Sequence, residues 1–301
     1  MTLKAKWTFE DSFFAINDNL NVRATGTTAR IMSFNVLCDD WNYQPKLNTT
    51  NRPELVANTL ERYQPDVVGL QEFDDAWYTA AEQFEGYKVV NADNPYITGT
   101  SYNYSTLAYN TSTVKLVEYA QYKLPTSNLV NCRNITTGVF EFIAGDNIGE
   151  RFMVASLHWD TQSDANRVKQ ATQTSDHLNT WREKYPGIPM ILTGDFNAKD
   201  SAESIQTFIS ASGMYDTKKA ETIGVLCNTY HIGNPFLGSA PAQGNIFTGP
   251  TSFTIDKIQT DECIDHIFAD ASVKSLYATT IVDYEALNAS DHCPILSDLQ
   301  F

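Results

Sequence analysis

What most limits the folding choices of this chain is a recurring pattern: short apolar runs, rich in β-branched and aromatic residues, that break off at a polar side chain. Such runs occur at 30–36, 67–70, 105–109, 114–122, 139–143, 152–157, 190–192, 264–268 and 276–282, and their length and composition are those of strands. Several are apolar at consecutive positions, which implies strands covered on both faces. Two helical patterns lie between them. Pro53 opens one in which Leu55, Val56, Thr59, Leu60 and Tyr63 share a face, and a second runs from about Asp164 to Lys184 with Val168, Ala171, Leu178 and Trp181 on one side. Strands in excess of helices, with helices long enough to cover a sheet, predict an α/β protein in which two sheets pack together and helices lie outside. Residues 228–250, rich in Gly, Pro and Asn, read as a long loop of the kind that often carries function.

The chain has 301 residues and is 42% hydrophobic, enough to bury a large core in one domain. No internal repeat or linker divides it, and the expected organisation is a lead-in at 1–24 followed by one domain over 25–301. No apolar stretch approaches the ~20 residues of a membrane-spanning helix, and the N-terminus lacks a basic-then-apolar signal pattern. A formal net charge of -15 disfavours tight non-specific binding to polyanions. The five cysteines, Cys38, Cys132, Cys227, Cys263 and Cys293, form neither a CxxC pair nor a close Cys/His spacing, so neither a zinc site nor a disulfide framework is expected. Asn-x-Ser/Thr sequons at Asn48, Asn103, Asn110, Asn134 and Asn288 are what a chain rich in Asn and Thr produces by chance.

Polar residues stand where the buried runs end, and there a rigid scaffold presents chemistry to solvent. The places are Phe34-Asn35-Val36, Leu70-Gln71-Glu72-Phe73, Leu157-His158-Trp159-Asp160, Gly194-Asp195-Phe196-Asn197, Ile264-Asp265-His266 and Ser290-Asp291-His292-Cys293-Pro294. Each alone has an ordinary reading: Gly-Asp-x-Asn as a turn, Glu72 as an exposed strand end, His158 as a core histidine, Asp291-His292 as a loop. Together they supply oxygen ligands for a hard cation, two imidazoles and two amides, the parts that phosphate-ester hydrolysis requires. Glu72 and Asp291 suit Mg²⁺ without caging it. Asp195 is placed to activate water and Asn197 to fix its direction. His292, oriented by a carboxylate such as Asp265, would hold the phosphate or shuttle a proton, with His158 opposite.

This set resembles the endonuclease/exonuclease/phosphatase superfamily from about Arg30 to the end of the chain, through Phe34-Asn35, Leu70-Gln71-Glu72, Gly194-Asp195-Phe196-Asn197 and Ser290-Asp291-His292. The resemblance implies a four-layer α/β/β/α sandwich of two packed mixed sheets and a Mg²⁺-dependent phosphoesterase, with Mn²⁺ or Ca²⁺ as alternative ions. It implies Asn35 as the amide supporting metal and phosphate, Glu72 as the principal metal ligand and His158 as the phosphate-contacting histidine. It further implies Asp195 as the water-activating carboxylate with Asn197 its partner, Asp265 and His292 as a coupled pair, and Asp291 near the metal.

Branch assignment is less sharp. Asn35-Val36-Leu37-Cys38-Asp39 and His158-Trp159-Asp160 resemble the deadenylase and nocturnin branch, whereas Gln162 to Gln170 and Thr229-Tyr230-His231 are similar to bacterial members of unassigned substrate. Leu37 departs from the apurinic endonuclease pattern, and Cys263-Ile264-Asp265-His266 from that of inositol 5-phosphatases. The first expectation is a nuclease or nucleotide phosphodiesterase, with Tyr102 and Tyr104 as stacking platforms for bases. The alternative is a phosphatase or phosphodiesterase on a small phosphorylated sugar, inositol or phospholipid headgroup, bound by the loop around His231, Asn234 and Gln243. A third reading is a catalytically silent binding module. A monomer is expected. Thr2-Leu3-Lys4-Ala5-Lys6-Trp7 resembles the closing strand of small repeat modules on bacterial surface proteins, which predicts an extracellular or cell-surface setting within a larger protein.

Overall fold

The computed structural model describes residues 22–38, 52–90, 96–97, 101–102, 104–125, 133–226, 228–230 and 263–301. One sheet contains β1 (Ala29–Asn35), β2 (Val67–Gln71), β3 (Tyr87–Val89), β6 (Ser105–Asn110), β12 (Thr222–Ile223), β14 (Lys274–Thr280) and β15 (Ile295–Gln300), in the order β12-β14-β15-β1-β2-β6-β3. The second contains β7 (Val114–Leu124), β8 (Arg133–Phe142), β9 (Arg151–His158), β10 (Met190–Asp195), β11 (Tyr215–Asp216) and β13 (Asp265–Ala269), in the order β11-β13-β10-β9-β8-β7. A ribbon of β4 (Tyr96–Ile97) and β5 (Ser101–Tyr102) stands apart. The helices are α1 (Arg52–Tyr63), α2 (Asp75–Ala80), α3 (Asp164–Lys184), α4 (Glu203–Ser212) and α5 (Tyr284–Ala289). Each sheet has a parallel pair at its centre, β1 with β2 and β9 with β10, joined through α1 and α3 respectively, as a parallel crossover requires, and β12 pairs parallel with β14 at the edge of the first sheet.

Three apolar clusters separate four layers. Ile31, Val67, Leu107, Phe140, Val154 and Ile191 lie between the sheets. Phe34, Leu60, Val68 and Leu70 pack the first sheet against its helices, and Leu157, Trp181, Leu192 and Phe208 pack the second against α3 and α4. The expected architecture of two mixed sheets with helices outside is therefore the observed one. The face of α1 is buried at Leu55, Val56, Thr59, Leu60 and Tyr63 as its periodicity predicts. In α3, Ala171, Leu178 and Trp181 are buried, but Val168 is half-buried and Gln170 takes an inward place. Its amide is useful there: Asp160 N donates to Gln170 Oε1 (2.8 Å), and Gln170 Nε2 donates to Pro125 O.

Strand alternation leads directly from core to site. The inward positions of β1 read Ile31, Ser33, Asn35; of β9, Val154, Ser156, His158; of β10, Ile191, Thr193, Asp195. Side chains two residues apart share a face, so each strand passes from apolar filling through a small hydroxyl to a reactive group at its end. Gln71 spans the sheets at the hydroxyl layer, Nε2 donating to Ser33 Oγ (3.3 Å) and Ser156 Oγ (3.1 Å). The sheets approach so closely at Gly69 that a Cβ there would stand 1.8 Å from Thr193 Oγ1 and 2.8 Å from Thr193 Cβ. Thr193 Oγ1 is itself committed to Ala155 O (2.9 Å). Gly69→Ala is expected to cost about 1–3 kcal/mol through overpacking, read as a lower denaturant midpoint; an unchanged midpoint would mean that the sheets part freely here.

Among the described residues no helix is long and apolar enough to cross a membrane. Most of the expected lead-in (1–21) and the loop segment 231–250, with His231, Asn234 and Gln243, lie outside the described residues.

Candidate active site

The candidate site groups meet at one end of the sandwich, where β1, β2, β9 and β10 finish and β13 begins. Asn35 closes β1 and is fully buried. Its Nδ2 donates to Glu72 Oε1 (3.1 Å) and to Asp195 Oδ2 (3.0 Å), while its Oδ1 accepts from Leu37 N (3.0 Å). It thus bridges two carboxylates through its nitrogen, while its oxygen accepts from the backbone. Glu72 follows β2 at φ 58°, and Leu37 (φ 58°) and Asn197 (φ 48°) share this left-handed conformation. Non-glycine residues hold such φ values only where surrounding contacts fix them. Here those contacts include Cys38 N donating to Glu72 Oε2 (3.1 Å) and Asn197 Nδ2 donating to Trp159 O (3.1 Å).

Asp195 is the hub. Besides Asn35 it accepts from Asn197 N at Oδ1 (2.8 Å), and His158 Nε2 and His292 Nε2 stand 3.4 Å and 3.7 Å from Oδ2. Burial, reinforced by the charge of Asp265, pushes its carboxyl up to about 7, against the lowering influence of His292, Asn197 and Asn35. His292 Nδ1 lies 2.8 Å from Asp265 Oδ2. Burial alone would lower the His292 pKa, but Asp265 and Asp195, with a smaller part from Asp291, hold it well above the usual histidine value, so this imidazole is cationic at neutral pH. His158 is the opposite case. Burial first, then Arg133 and His292, keep it well below that value, and neither ring nitrogen has a hydrogen-bond partner. Its approach to Asp195 is that of a neutral ring rather than an ion pair. The structure thereby separates the two histidines into one charged and one neutral.

Asp291 sits beside them, its carboxyl raised to about 6 by burial and by Glu72, with His292 and Arg52 working against the rise. Tyr104 reaches the same end of the molecule through its backbone, since Phe73 N donates to Tyr104 O (3.1 Å). Three participants escaped the sequence reading. Ser290 Oγ donates to Asn35 O (2.6 Å) and accepts from His292 N (3.2 Å), Thr229 Oγ1 accepts from Asp265 N (3.2 Å), and Arg52 donates to backbone carbonyls around the site. The Thr229-Tyr230 pair of the sequence reading was the signal available for the second; Ser290 stood within a quoted motif without a role.

The donor set fits a divalent cation. Glu72, His158 and Asp195 each offer a ligand atom within 4.8 Å of the others, as do Asp195, Asp265 and His292. The unpartnered ring nitrogens of His158 and the unpartnered Asp265 Oδ1 are buried polar atoms of the sort a metal or its water satisfies. The carboxyls of Asp195 and Asp291 are raised first by burial and then by the charges of Asp265 and Glu72 respectively, and a nearby cation would favour their ionised forms. A third acidic group, Asp200, Asp216 and His266, already has its cation: Lys218 Nζ lies 2.8 Å from Asp200 and 3.4 Å from Asp216.

A family model described as "Endonuclease/Exonuclease/phosphatase family" matches residues 32–292. The chain belongs to the endonuclease/exonuclease/phosphatase family. Members of this family are phosphoesterases or nucleases that commonly use divalent metals, and the groups described above are placed to bind one. Solved structures share the fold. A mannosyl-6-phosphatase of Bacteroides thetaiotaomicron is 22% identical with a TM-score of 0.70, covering 91% of this chain and 100% of that one. The human Nocturnin catalytic domain with bound sulfate is 19% identical with a TM-score of 0.60, covering 93% and 96%. D. rerio TDP2 complexed with a single-strand DNA product is 19% identical with a TM-score of 0.59, covering 91% and 99%. No curated protein sequence matches this family member.

Proposed function

We propose that this protein is a divalent-metal-dependent phosphoesterase that hydrolyses small phosphate esters, with Asp195 activating the attacking water. The observation that carries the proposal is the convergence of Asn35, Asn197, His158 and His292 on the single carboxylate of Asp195. Burial holds this carboxyl above its ordinary value, which favours proton acceptance, because a base works best when its pKa lies near the operating pH. Asn197, anchored on Trp159 O, orients the water beside it. His292, cationic and steered by Asp265, donates to a phosphoryl or leaving oxygen, and neutral His158 offers a second imidazole to the phosphate. Glu72 and Asp291 would hold the cation, with His158 in reach. Mg²⁺ suits the carboxylates and Mn²⁺ also accepts the imidazole, while Ca²⁺ is served by oxygen alone. That cation supplies positive charge against the phosphoryl oxygens.

Two considerations, the charge and a TM-score of 0.70 to the mannosyl-6-phosphatase against 0.59 to TDP2, favour a small substrate such as a phosphorylated sugar over a nucleic acid. A net charge of -15 repels long polyanions. The nuclease reading, first in the sequence analysis, keeps the support of Tyr104 beside Glu72 and of the TDP2 likeness. The deciding assay offers sugar and inositol phosphates, nucleotides, single-stranded DNA, RNA and phospholipid headgroup esters with Mg²⁺. Release of inorganic phosphate from a sugar phosphate, abolished by EDTA, is expected. Shortened polymer would establish the nuclease, and turnover unaffected by EDTA would sink the metal-dependent mechanism.

A further inference from the structure

We infer that Arg52 is a positioning residue that sets the metal affinity of this site by clamping the exit of β1, where Asn35 and Cys38 hold Glu72, to the segment that carries Asp291. Arg52 opens α1 and is only 2% exposed. Its Nε donates to Ala289 O (2.7 Å), and its Nη2 donates to both Val36 O and Leu37 O. The guanidinium carbon lies 5.1 Å from the centroid of the Trp77 ring, and Trp77 Nε1 donates to the same Leu37 O (2.9 Å).

The three carbonyls belong to the exit of β1 and the approach to β15. Val36 and Leu37 follow Asn35 and lead to Cys38, whose N–H supports Glu72. Ala289 precedes Ser290, Asp291 and His292, and Ser290 Oγ returns to Asn35 O. Arg52 and Ser290 therefore tie the same two segments together. Leu37 needs such an anchor, because its left-handed φ of 58° is unfavourable for a side chain with a Cβ.

Burying a guanidinium among carbonyls carries a desolvation cost that an apolar residue of similar size would avoid. Filling space between α1 and Trp77 does not account for it. A rigid planar fork that satisfies diverging carbonyls from two segments does, and the single ammonium of lysine cannot reproduce that geometry. Glu72, Asn35 and Asp291 then stand at a spacing that Arg52 maintains without touching the cation. The inference rests on the reading that this side of the site holds a divalent ion.

The test measures Mn²⁺ binding to the full chain, by calorimetry and by the loss of free-ion paramagnetic signal, for the wild type, Arg52→Gln, Arg52→Lys and Leu60→Ala. Leu60 is 1% exposed on the same helix and serves as a purely structural control. The expected result is Mn²⁺ affinity weakened by about tenfold or more in both Arg52 variants, the size usual for groups that orient metal ligands. Leu60→Ala is expected to melt earlier with its affinity intact. Affinity in Arg52→Gln indistinguishable from wild type overturns the assignment, as does an equal loss in Leu60→Ala. If Arg52→Gln does not fold, Arg52→Lys decides by the same comparison. A wild type that binds no Mn²⁺ overturns the metal site and the inference with it, whereas binding by all four proteins alike removes only the role of Arg52.

Discussion

Asp195→Asn is expected to lower kcat for phosphate-ester hydrolysis by about a thousandfold or more, the upper part of the range for losing a positioned base. The amide keeps the volume of the carboxyl but cannot accept a proton from water. The same substitution has an opposite effect on stability, and its sign follows from the raised pKa. Burial and Asp265 lift the Asp195 carboxyl from 3.8 to about 7, so ionisation opposes folding in the metal-free protein. That opposition is absent below pH 3.8, grows as the pH rises towards 7, and is complete by about pH 8. In EDTA, the melting temperature of Asp195→Asn relative to wild type should therefore move in favour of the variant between pH 5 and pH 8. Retained turnover in the variant would remove Asp195 from its role, and a pH-independent difference in melting would show that its carboxyl is not held protonated. The proposed mechanism places function on a group that the metal-free fold would rather leave uncharged.

The candidate site residues stand out in the sequence because a polar side chain follows each apolar run and because their order resembles that of a known family; the structure places Asn35, His158 and Asp195 at inward strand positions in regular alternation. Ile31-Ser33-Asn35, Val154-Ser156-His158 and Ile191-Thr193-Asp195 each continue a core face to its end, and a period of two is visible in any sequence. The same logic failed where polar residues are buried for reasons that lie far along the chain. β8 begins at Arg133 rather than Val139, because Asn134 and Thr136 are buried by hydrogen bonds to Ser105 O. β15 does not read as a strand in the sequence, since Asp298 interrupts its apolar pattern. That carboxylate is buried against Arg30, with Nε and Nη2 contacts of 2.7 Å and 2.9 Å, a partner from the opposite end of the sequence. α4 was missed as well. Its signal is present, with Ile205, Phe208 and Ile209 at helical spacing and Gly213 ending it at φ 69° as a C-terminal glycine does.

The residues that organise the site rather than react were the least visible. Arg52, Ser290 and Thr229 act on backbone atoms, and backbone carbonyls and N–H groups carry no residue identity by which a sequence could point to the pairing. Thr229 illustrates the limit. Its hydroxyl accepts from Asp265 N, and its carbonyl accepts from Cys293 N (2.7 Å), so one residue locks both halves of the Asp265–His292 pair in place. Only the closure of the two sheets brings those segments together.

Asp265→Asn is expected to reduce kcat/KM by about a hundredfold or more and to move the whole pH profile towards acid. The direction comes from a charge shared by two titrating groups. Asp265 raises the pKa of Asp195, which must lose its proton to accept one from water, and raises that of His292, which must keep its proton to donate. Neutralising Asp265 lowers both. The ascending limb of the profile, set by Asp195, and the descending limb, set by His292, shift the same way. A bound cation depresses Asp195 in wild type and variant alike, so it is the displacement between the two profiles that reports on Asp265. Measuring kcat/KM from pH 5 to 10 in both proteins separates this coupling from a merely structural contribution, which would lower the profile and leave its position unchanged. It also distinguishes the two histidines. His158 is held neutral, well below its usual pKa, by burial, Arg133 and His292, and Asp265 is not among those causes. An alkaline limb that stays in place when Asp265 is neutralised would therefore transfer the proton-donating role away from His292.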